Sequence, residues 1–343
     1  MEGGKLIDKG LYGCIFRPSL RCKYKSDSVT SPSKKQITKV LTTENALIEF
    51  KIGEIIRRIP LWRNYFAVSE SICVPSEKQI DTDLKHCKQY SKKEDTRILS
   101  MAYHGTSLKH AKLNLHSFKL MDCITHLLEA GALLALHGVV HRDLHPGNVV
   151  IDNYNIPRVI DFNLSILSFN GITINKLEHT SSPIFRQLPP DYIIVNALYK
   201  RRYSLNQISR EILSKNPTIK LLSRYCNIPL EQLYTDMVAF STTSNSVSSG
   251  DMIEWFKLYW RVLDSWAIGA LILEIINKMS IWPSFSQQYK ENEHIIIPLL
   301  RKLCAINPVK RFDCVQAVHY LNPSNRIIRL YGQKWIEEYS SLA

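Results

Sequence analysis

The sequence lacks any long apolar run. Its best candidate, residues 267–276, is shorter than the stretch of about 18 residues that a membrane-crossing helix needs. The N-terminus also lacks an apolar segment of the kind that forms the centre of a signal peptide. We therefore expect a soluble, intracellular protein without a membrane span.

Closely spaced cysteine pairs are also missing. The eight cysteines lie at positions 14, 22, 73, 87, 123, 226, 304 and 314, and none of them forms a C-x-x-C pair. Cys73, His86 and Cys87 lack the fourth ligand that a tetrahedral zinc site requires. We expect free thiols in a reducing compartment.

Acidic residues are scarce relative to basic ones. The chain has 31 Asp and Glu against 44 Lys and Arg, a formal net charge of +13. That charge favours nucleotides, acidic peptides, nucleic acid or acidic membranes, without choosing among them. Because the basic residues are scattered over 17–35, 85–93 and 200–224, they indicate several solvated faces, and nucleic acid is not a required partner. A hydrophobic content of 45% is ordinary for a globular chain and excludes wholesale disorder.

One stretch carries a distinctive set of chemical groups. The run H-R-D-L-H-P-G-N occupies residues 141–148, and D-F-N occupies 161–163. The apolar residues between them predict a strand, a turn and a second strand, with Asp143, Asn148 and Asp161 near one end. A carboxylate beside a substrate hydroxyl, with an amide and a second carboxylate holding Mg²⁺, is what phosphoryl transfer needs.

At these residues the chain resembles the eukaryotic-type protein kinases, whose motifs are H-R-D-L-x-x-x-N and D-F-G. The resemblance implies a bilobal α+β fold, with a small β-rich N-lobe over 1–103 and a larger α-helical C-lobe over 104–343. It implies ATP and Mg²⁺ as cofactors, Asp143 as the catalytic base, and Asn148 and Asp161 as metal ligands. Asn163 replaces the family's glycine; because Asn tolerates positive φ, we expect the turn to be kept.

The N-terminal residues fit the glycine-rich loop of the same family, which lies over the ATP phosphates. Gly10 and Gly13 separate two predicted strands, although Asp8 replaces the first glycine of the family pattern. The resemblance also implies that Ile7 and Ile15 belong to the nucleotide-binding site.

The next strand and helix supply a lysine and its partner. Lys39 lies on the alternating strand 36–41, where the family's lysine reaches the α- and β-phosphates. The helix that follows is predicted over 42–59 with Thr43 as its N-cap. Three glutamates on this helix compete to pair with the lysine: Glu44, Glu49 and Glu54. The resemblance favours Glu49.

A strand that starts at Arg97 resembles the kinase segment that binds adenine. Met101 is expected behind the purine, and the backbones of Ala102 and His104 are expected to face it. These three residues complete the set that the resemblance implies for the nucleotide.

Two later motifs strengthen the resemblance. Asp264 opens D-x-W-x-x-G, the start of the family's buried helix, and is expected to hold the backbone of the catalytic loop. Arg311 ends N-P-x-x-R, and we expect it to contact Asp191 in the P-P-D that replaces A-P-E. Arg142 is expected to bind a phosphate on the segment between 161 and 191. Three residues there are candidate phosphorylation sites: Thr180, Ser181 and Ser182.

Several segments carry no chemical motif. Helices are predicted over 115–137, 208–213 and 230–240, and a polar linker over 241–249. We expect insertions over 76–96 and 192–257. The second is interpreted as a partner or substrate surface on the C-lobe, and the sequence provides no chemical account of it.

The favoured interpretation is a serine/threonine protein kinase that acts on protein substrates. His145 replaces the lysine that such kinases carry two residues after the catalytic Asp, and the arginines typical of tyrosine kinases are absent. The alternatives are a pseudokinase scaffold and a small-molecule kinase of the aminoglycoside or choline type. The sequence does not predict the oligomeric state.

Softer details, such as residues 60–62 and the segment 161–191, resemble protein kinases of large nucleocytoplasmic DNA viruses. That resemblance implies viral or host protein substrates. It also implies a location in the host cytoplasm, and in the virion if the protein is packaged.

Overall fold

The computed structural model describes residues 4–10, 13–23, 35–76, 83–91, 95–113, 115, 117–169, 172–178 and 182–339. The chain divides into two compact units. The first comprises residues 1–106 together with 158–164, and the second comprises 107–157 together with 165–343. The short segment 158–164 carries Asp161, which therefore belongs to the N-terminal unit.

The first unit is built on a five-stranded antiparallel sheet with the order β1-β2-β3-β5-β4. The strands are β1 (Lys5–Lys9), β2 (Gly13–Arg17), β3 (Gln36–Thr42), β4 (Ser71–Cys73) and β5 (Thr96–Ala102). Two helices accompany them, α1 (Thr43–Ile56) and α2 (Trp62–Tyr65). The helix α1 is shorter than expected, and its N-cap is Thr42 rather than Thr43, because the Thr42 hydroxyl accepts the Asn45 N–H.

The two faces of this sheet bury different clusters. Val40 packs with Cys14, Phe16 and Ile98 on one face, whereas Leu41 packs with Leu99 and Met101 on the other. Side chains alternate along a strand, so Lys39 points to the same face as Leu41. Ala46 of α1 belongs to the Leu41 cluster, which puts α1 on the face where Lys39 emerges.

Two disulfide bonds close the other face of the sheet and its edge. Cys14 is bonded to Cys87, and Cys22 is bonded to Cys73, with Cα atoms 5.9 and 5.8 Å apart. The expectation of free thiols is therefore wrong for these four cysteines. The partners are 73 and 51 residues apart in sequence, and no spacing rule reveals such pairing.

The second unit is mainly helical. Its helices are α3 (Leu120–Leu136), α4 (Ile174–Leu177), α5 (Pro190–Tyr199), α6 (Leu205–Lys215), α7 (Pro217–Cys226), α8 (Leu230–Thr243), α9 (Asn245–Ser248), α10 (Met252–Tyr259), α11 (Leu263–Met279), α12 (Pro283–Leu303), α13 (Cys314–Leu321) and α14 (Gln333–Tyr339). Short strands follow the chain as β6 (Thr106–Ser107), β7 (Val139–Val140), β8 (Val149–Ile151), β9 (Pro157–Val159) and β10 (Ile166–Leu167).

Helix α11 is the centre of the second unit. Nearly all of its residues are buried, and α3, α7 and α12 pack against it. A helix that is apolar on every side belongs inside a core rather than at a surface. Asp264 lies in the first turn of this helix, as the D-x-W-x-x-G motif predicts.

The insertion 192–257 is more ordered than expected. The predicted helices exist as α6 and α8, but α7, α9 and α10 were not predicted. The predicted linker 241–249 is wrong, because α8 continues to Thr243 and α9 follows almost immediately. Ser241 and Ser246 are buried there, so the run of polar residues misled the prediction.

Across the described residues, none of the helices combines the length and the apolar character that crossing a bilayer requires.

Candidate active site

Lys39 is the centre of a charged cluster in the first unit. Its ammonium nitrogen lies 2.8 Å from Glu49 Oε2 and 2.8 Å from Asp161 Oδ1. The side chains of Lys39 and Glu49 are each only 7% exposed, whereas that of Asp161 is 28% exposed. The cluster therefore has one open side, at Asp161.

The periodicity of α1 decides which glutamate pairs with Lys39. Glu49 is buried on the same helix face as Ala46 and Gly53, which are three residues before it and four residues after it. Glu44 and Glu54 are exposed. The structure thus selects Glu49, the favoured candidate from the sequence.

Burial and the charge of the opposite partner shift the pKa values of Lys39 and Glu49 in opposite directions. Burial alone would lower the pKa of Lys39, but the carboxylates of Asp161 and Glu49 outweigh it and raise that pKa. Burial, with a contribution from the charge of Asp161, raises the pKa of Glu49 to about 6, although Lys39 opposes the shift. Two carboxylates share one ammonium here, which keeps Lys39 charged at every physiological pH.

The turn after β9 places Asp161 beside Lys39. Ala67 donates its N–H to Val159 O at 3.0 Å, and Phe162 packs edge-on against Phe66 with ring centroids 6.1 Å apart. The left-handed backbone falls on Asp161 itself, at φ 65°, and not on Asn163. The expectation that Asn163 is tolerated because it adopts positive φ is therefore wrong.

The glycine loop is described only at its two ends, because Leu11 and Tyr12 lie outside the described residues. Gly10 donates its N–H to Gly13 O at 2.9 Å. A Cβ at Gly13 would lie 2.6 Å from Val40 O, so the sheet itself requires glycine there. Ile7 is 49% exposed on β1, and Ile15 is half-buried on β2 opposite Lys39. Asp8 is exposed and accepts the N–H of Lys9.

The residues expected to border adenine lie at the end of β5. Met101 is buried at 8% exposure, opposite Ile37 of β3. Ala102 pairs with Gln36, and His104 is half-buried just beyond the strand. These residues share the first unit with Lys39, Glu49 and Asp161.

The loop 141–148, which is the expected catalytic loop, belongs to the second unit, and Asp264 of α11 holds its backbone. The Asp264 carboxylate accepts the N–H of His141 at 2.6 Å and the N–H of Arg142 at 2.9 Å. Burial raises the pKa of Asp264, opposed by His141 and by these two N–H groups. Arg142 has φ 70°, and the two bonds from its own and the preceding N–H hold this turn in place. The predicted role of Asp264 is confirmed by these contacts.

The Asp143 carboxylate is engaged at both oxygens. Asn148 Nδ2 donates to Asp143 Oδ2 at 3.0 Å, and Gln187 Nε2 donates to Oδ1 at 2.8 Å. His145 Nε2 lies 3.7 Å from Oδ2. Burial would raise the pKa of Asp143, but His145, His141 and Gln187 together hold it below its usual value. The carboxylate is therefore ionised and oriented.

His145 shapes the rest of this loop. Its Nδ1 accepts the Gly147 N–H at 3.0 Å, and a Cβ at Gly147 would lie 2.6 Å from the imidazole Cε1. Since Nδ1 accepts, the neutral ring carries its proton on Nε2, which is the nitrogen nearest Asp143. A larger residue at position 147 would therefore displace the His145 ring.

Gln187 was not identified from the sequence. It lies four residues before Asp191, and no motif, charge or periodicity marks it out. It reaches Asp143 across 44 residues, so only the path of the chain before α5 reveals it.

The Arg142 guanidinium donates to the segment before α5 and to α5 itself. Its guanidinium donates to Lys176 O at 2.5 Å, to Leu177 O at 3.2 Å and to the Tyr192 hydroxyl at 2.9 Å. Arg142 is buried at 5% exposure. Of the candidate phosphorylation sites, Thr180 and Ser181 lie outside the described residues, and Ser182 is half-buried.

The predicted contact between Arg311 and Asp191 is confirmed. Arg311 Nη2 lies 2.7 Å from Asp191 Oδ1, and the two side chains are 0% and 1% exposed. Trp255 of the insertion donates its indole N–H to the other oxygen of Asp191 at 3.1 Å. The pair fixes the start of α5 against the end of the α12–α13 connection.

Each of the two units carries, by itself, an oxygen atom of the kind that binds a hard cation. Asn148 uses its NH₂ group towards Asp143, so its carbonyl oxygen is the atom available as a ligand. Asp161 uses Oδ1 for Lys39 and keeps a second carboxylate oxygen. Amide and carboxylate oxygens are the ligands that Mg²⁺ takes beside phosphate groups, and the ammonium of Lys39 suits the phosphates themselves.

No family model matches the chain. Over 32 residues it is 59% identical to the DNA damage-responsive serine/threonine-protein kinase RqkA of Deinococcus radiodurans, which covers 9% of this chain and 5% of that protein. Over 134 residues it is 28% identical to the calcium/calmodulin-dependent protein kinase kinase cmkC of Emericella nidulans, which covers 38% of this chain and 24% of that protein. The chain therefore spans a quarter or less of these curated relatives.

Both relatives are named as protein kinases, and the similarity supports a eukaryotic-type protein kinase in general. The α+β, protein-kinase-like fold class is confirmed, with an antiparallel sheet in the N-terminal unit and a larger helical unit after it.

Proposed function

We propose that this protein is a protein kinase that transfers the γ-phosphate of ATP to serine or threonine hydroxyls of protein substrates. The observation that carries the proposal is the position of Lys39 Nζ, 2.8 Å from both Glu49 and Asp161. A buried ammonium held by two carboxylates beside a glycine turn is an arrangement suited to phosphate oxygens.

The first unit supplies the nucleotide-binding groups in this proposal. Lys39 contacts the α- and β-phosphates, and the glycine turn at Gly10 and Gly13 covers them. The backbones of Ala102 and His104 bind the adenine edge. Mg²⁺, held by Asn148 and Asp161, would neutralise charge that develops on the phosphates during transfer.

Asp143 supplies the base. Its lowered pKa keeps it ionised at neutral pH, so it can orient the acceptor hydroxyl and accept its proton. Its side chain is 23% exposed, which leaves it reachable from solvent. The protein contributes position and charge, and no covalent intermediate is needed.

The residues of the catalytic loop that differ from the kinase pattern bear on which class of hydroxyl accepts the phosphate. His145 replaces the usual lysine, and a neutral imidazole stabilises a transferring phosphate less than an ammonium does. We propose Ser and Thr as acceptors because the arginines of tyrosine kinases are absent from this loop. The motifs D-x-W-x-x-G and N-P-x-x-R, whose Asp264 and Arg311 make buried contacts, favour a protein kinase over the small-molecule kinases, which lack both motifs.

We also propose that the acceptors are viral or host proteins. The two disulfides argue against a permanently reducing compartment, so we favour a virion or another oxidising setting over free host cytoplasm. Partial proteolysis of purified particles followed by immunodetection of the chain would test the virion location.

The experiment is phosphoryl transfer from γ-labelled ATP with Mg²⁺ to a mixed set of proteins, followed by phosphoamino-acid analysis. Wild-type protein should label serine and threonine, and Asp143→Asn should not. Asp236→Asn, which removes a carboxylate on α8, is the matched control and should label normally. Label on an aminoglycoside or choline would favour a small-molecule kinase. ATP binding without transfer to any acceptor would favour a pseudokinase.

A further inference from the structure

The segment that leads into α5 is held by side chains of the insertion. Asn216 Nδ2 donates to Phe185 O at 3.3 Å, and Thr218 Oγ1 donates to Arg186 O at 3.0 Å. Both donors lie at the start of α7 and are buried, at 0% and 1% exposure. Two consecutive carbonyls of an irregular segment are thus satisfied by buried side chains, which fixes the local path of the backbone.

The donor positions are themselves fixed by the helix. Asn216 is the N-cap of α7, and its Oδ1 accepts the N–H of Thr218 at 2.9 Å and the N–H of Ile219 at 3.3 Å. One side chain therefore caps the helix with its oxygen and holds the segment with its nitrogen. This leaves the amide little rotational freedom, and the segment takes its position from α7.

Helix α11 holds the same segment from another side. Trp266 donates its indole N–H to Arg186 O at 3.1 Å, and the Arg186 guanidinium lies 2.5 Å from Glu274 Oε2. Two residues before Trp266, Asp264 holds the backbone of the catalytic loop. One turn of α11 thus sets the positions of both the catalytic loop and residue 186.

Gln187 connects the segment that contains Arg186 to the catalytic loop. It follows Arg186 directly, and its Nε2 lies 2.8 Å from Asp143 Oδ1. Asn148 engages only the other oxygen of that carboxylate. With an amide donor on each oxygen, the rotation of the carboxylate about its Cβ–Cγ bond is restricted. Loss of Gln187 would leave Oδ1 without its amide donor and make that rotation easier.

We propose that Gln187 is a positioning residue for Asp143, and that the insertion exists at least in part to hold Gln187 in place through Asn216 and Thr218. This inference rests on the proposed role of Asp143 as the base. It assigns to the start of α7 a role in catalysis that acts through residues 185–187.

The first arm of the test is kinetic. Gln187→Ala should lower kcat about tenfold, the scale of one charge-assisted hydrogen bond, while KM for ATP stays unchanged. Thr218→Val keeps the side-chain shape but removes the donor, and it should lower kcat by a smaller factor, because Trp266 still donates to Arg186 O. Thr218→Ser keeps the hydroxyl, so its kcat should stay close to that of the wild type. Thr235→Val is the matched control and should behave as wild type, because Thr235 is exposed and its hydroxyl donates to Glu231 O within α8.

A double variant separates positioning from general destabilisation. If Thr218 acts through Gln187, then Thr218→Val should add little to the loss already caused by Gln187→Ala. Losses that multiply would show that the two residues act independently and would overturn the link. So would a Thr218→Val protein whose kcat equals that of Thr235→Val.

The second arm does not depend on catalysis. The side-chain amide of Gln187, assigned in an NMR spectrum by its disappearance in Gln187→Ala, should shift in Asp143→Asn and in Thr218→Val but not in Thr235→Val. An unchanged signal in Thr218→Val would overturn the inference even if the enzyme is active. A wild-type protein that transfers no phosphate but shows these shifts would refute the proposed function and leave the positioning contact standing.

Discussion

Arg311 and Asp191 form a fully buried ion pair although they are 120 residues apart in sequence. Arg311 Nη2 lies 2.7 Å from Asp191 Oδ1, Arg311 also donates to Ala305 O and Ile306 O, and Trp255 completes the shell of Asp191. Because both side chains are buried, water cannot replace a lost partner. Removal of one residue of the pair would therefore leave the other charge buried and uncompensated, at a large cost in stability.

Arg311→Met should lower the free energy of unfolding by about 3–5 kcal/mol, because it leaves the Asp191 carboxylate buried without its cation. Urea denaturation measures the change. Lys215→Met is the control, since it removes an exposed helical pair with Glu211 and should cost no more than about 0.5 kcal/mol. Equal losses in the two variants would contradict the structural role assigned to Arg311.

Lys39→Met should lower phosphoryl transfer by about 100-fold or more, the scale of losing one preorganised charge at a reacting centre. It should also reduce stability, because Glu49 and Asp161 lose the ammonium between them. Glu49→Gln keeps a hydrogen-bond acceptor for Lys39 and should retain more activity than Lys39→Met. The opposite ranking, measured with labelled ATP, would remove Lys39 from the phosphate site.

Asp264→Asn should destabilise the protein by about 1–3 kcal/mol, because one amide oxygen cannot accept both N–H groups of the catalytic loop as the carboxylate does. It should also lower kcat, since those bonds hold the turn at Arg142. Asp251→Asn is the matched control. Asp251 caps α10 from an exposed site, where Asn is as good a cap as Asp. The thermal unfolding midpoint of the Asp251→Asn protein should therefore hardly change.

The disulfides predict a thiol count that depends on reductant. Without reductant, unfolded protein should expose four titratable thiols, those of Cys123, Cys226, Cys304 and Cys314, and with reductant it should expose all eight. The folded protein should react slowly, because burial raises the pKa of Cys226 to about 11 and that of Cys123 to about 12.

Reduction should also cost about 2–4 kcal/mol of unfolding free energy for each bond in the first unit. The double variant Cys14→Ser with Cys87→Ser should reproduce part of that loss in the absence of any reductant. Eight reactive thiols in protein unfolded without reductant would rule out both bonds.

Asn163→Gly should leave activity close to wild type and cost about 0.5–1 kcal/mol of stability, because the backbone there is not left-handed and glycine only adds freedom to the unfolded chain. Asn227→Gly is the contrasting variant. Asn227 ends α7 at φ 50°, where glycine is the preferred residue, so this change should be neutral or stabilising by thermal unfolding. A larger loss at Asn227 than at Asn163 would contradict this interpretation of the two backbones.

Short-range patterns identified much of the site. The strand with Lys39, the helix with Glu49 and the buried helix with Asp264 each follow from local spacing and from the motif that surrounds them. The pair of Arg311 and Asp191 was predicted because both residues occur in motifs of one family. The boundaries of α1 and α3 were less accurate, since caps and neighbouring residues compete for the ends of a helix.

Where the prediction failed, the missing information lay in distant contacts. The linker at 241–249 was expected to be irregular because its residues are polar, but buried serines and tertiary packing make it helical. The left-handed backbone was expected at Asn163 from residue type, but the surroundings impose it on Asp161. In both cases packing outweighed local preference.

The sequence by itself determined the chemical groups and their local frames: Lys39 on a strand, Asp143 and Asn148 on one loop, and Asp264 at the start of an apolar helix. Only the tertiary structure decided which cysteines are bonded, that Gln187 reaches Asp143, and that α7 holds the two residues before Gln187. The reason is that a strand or helix depends on neighbours a few residues away. A hydrogen bond across 44 residues or a disulfide across 73 residues depends on how the whole chain packs.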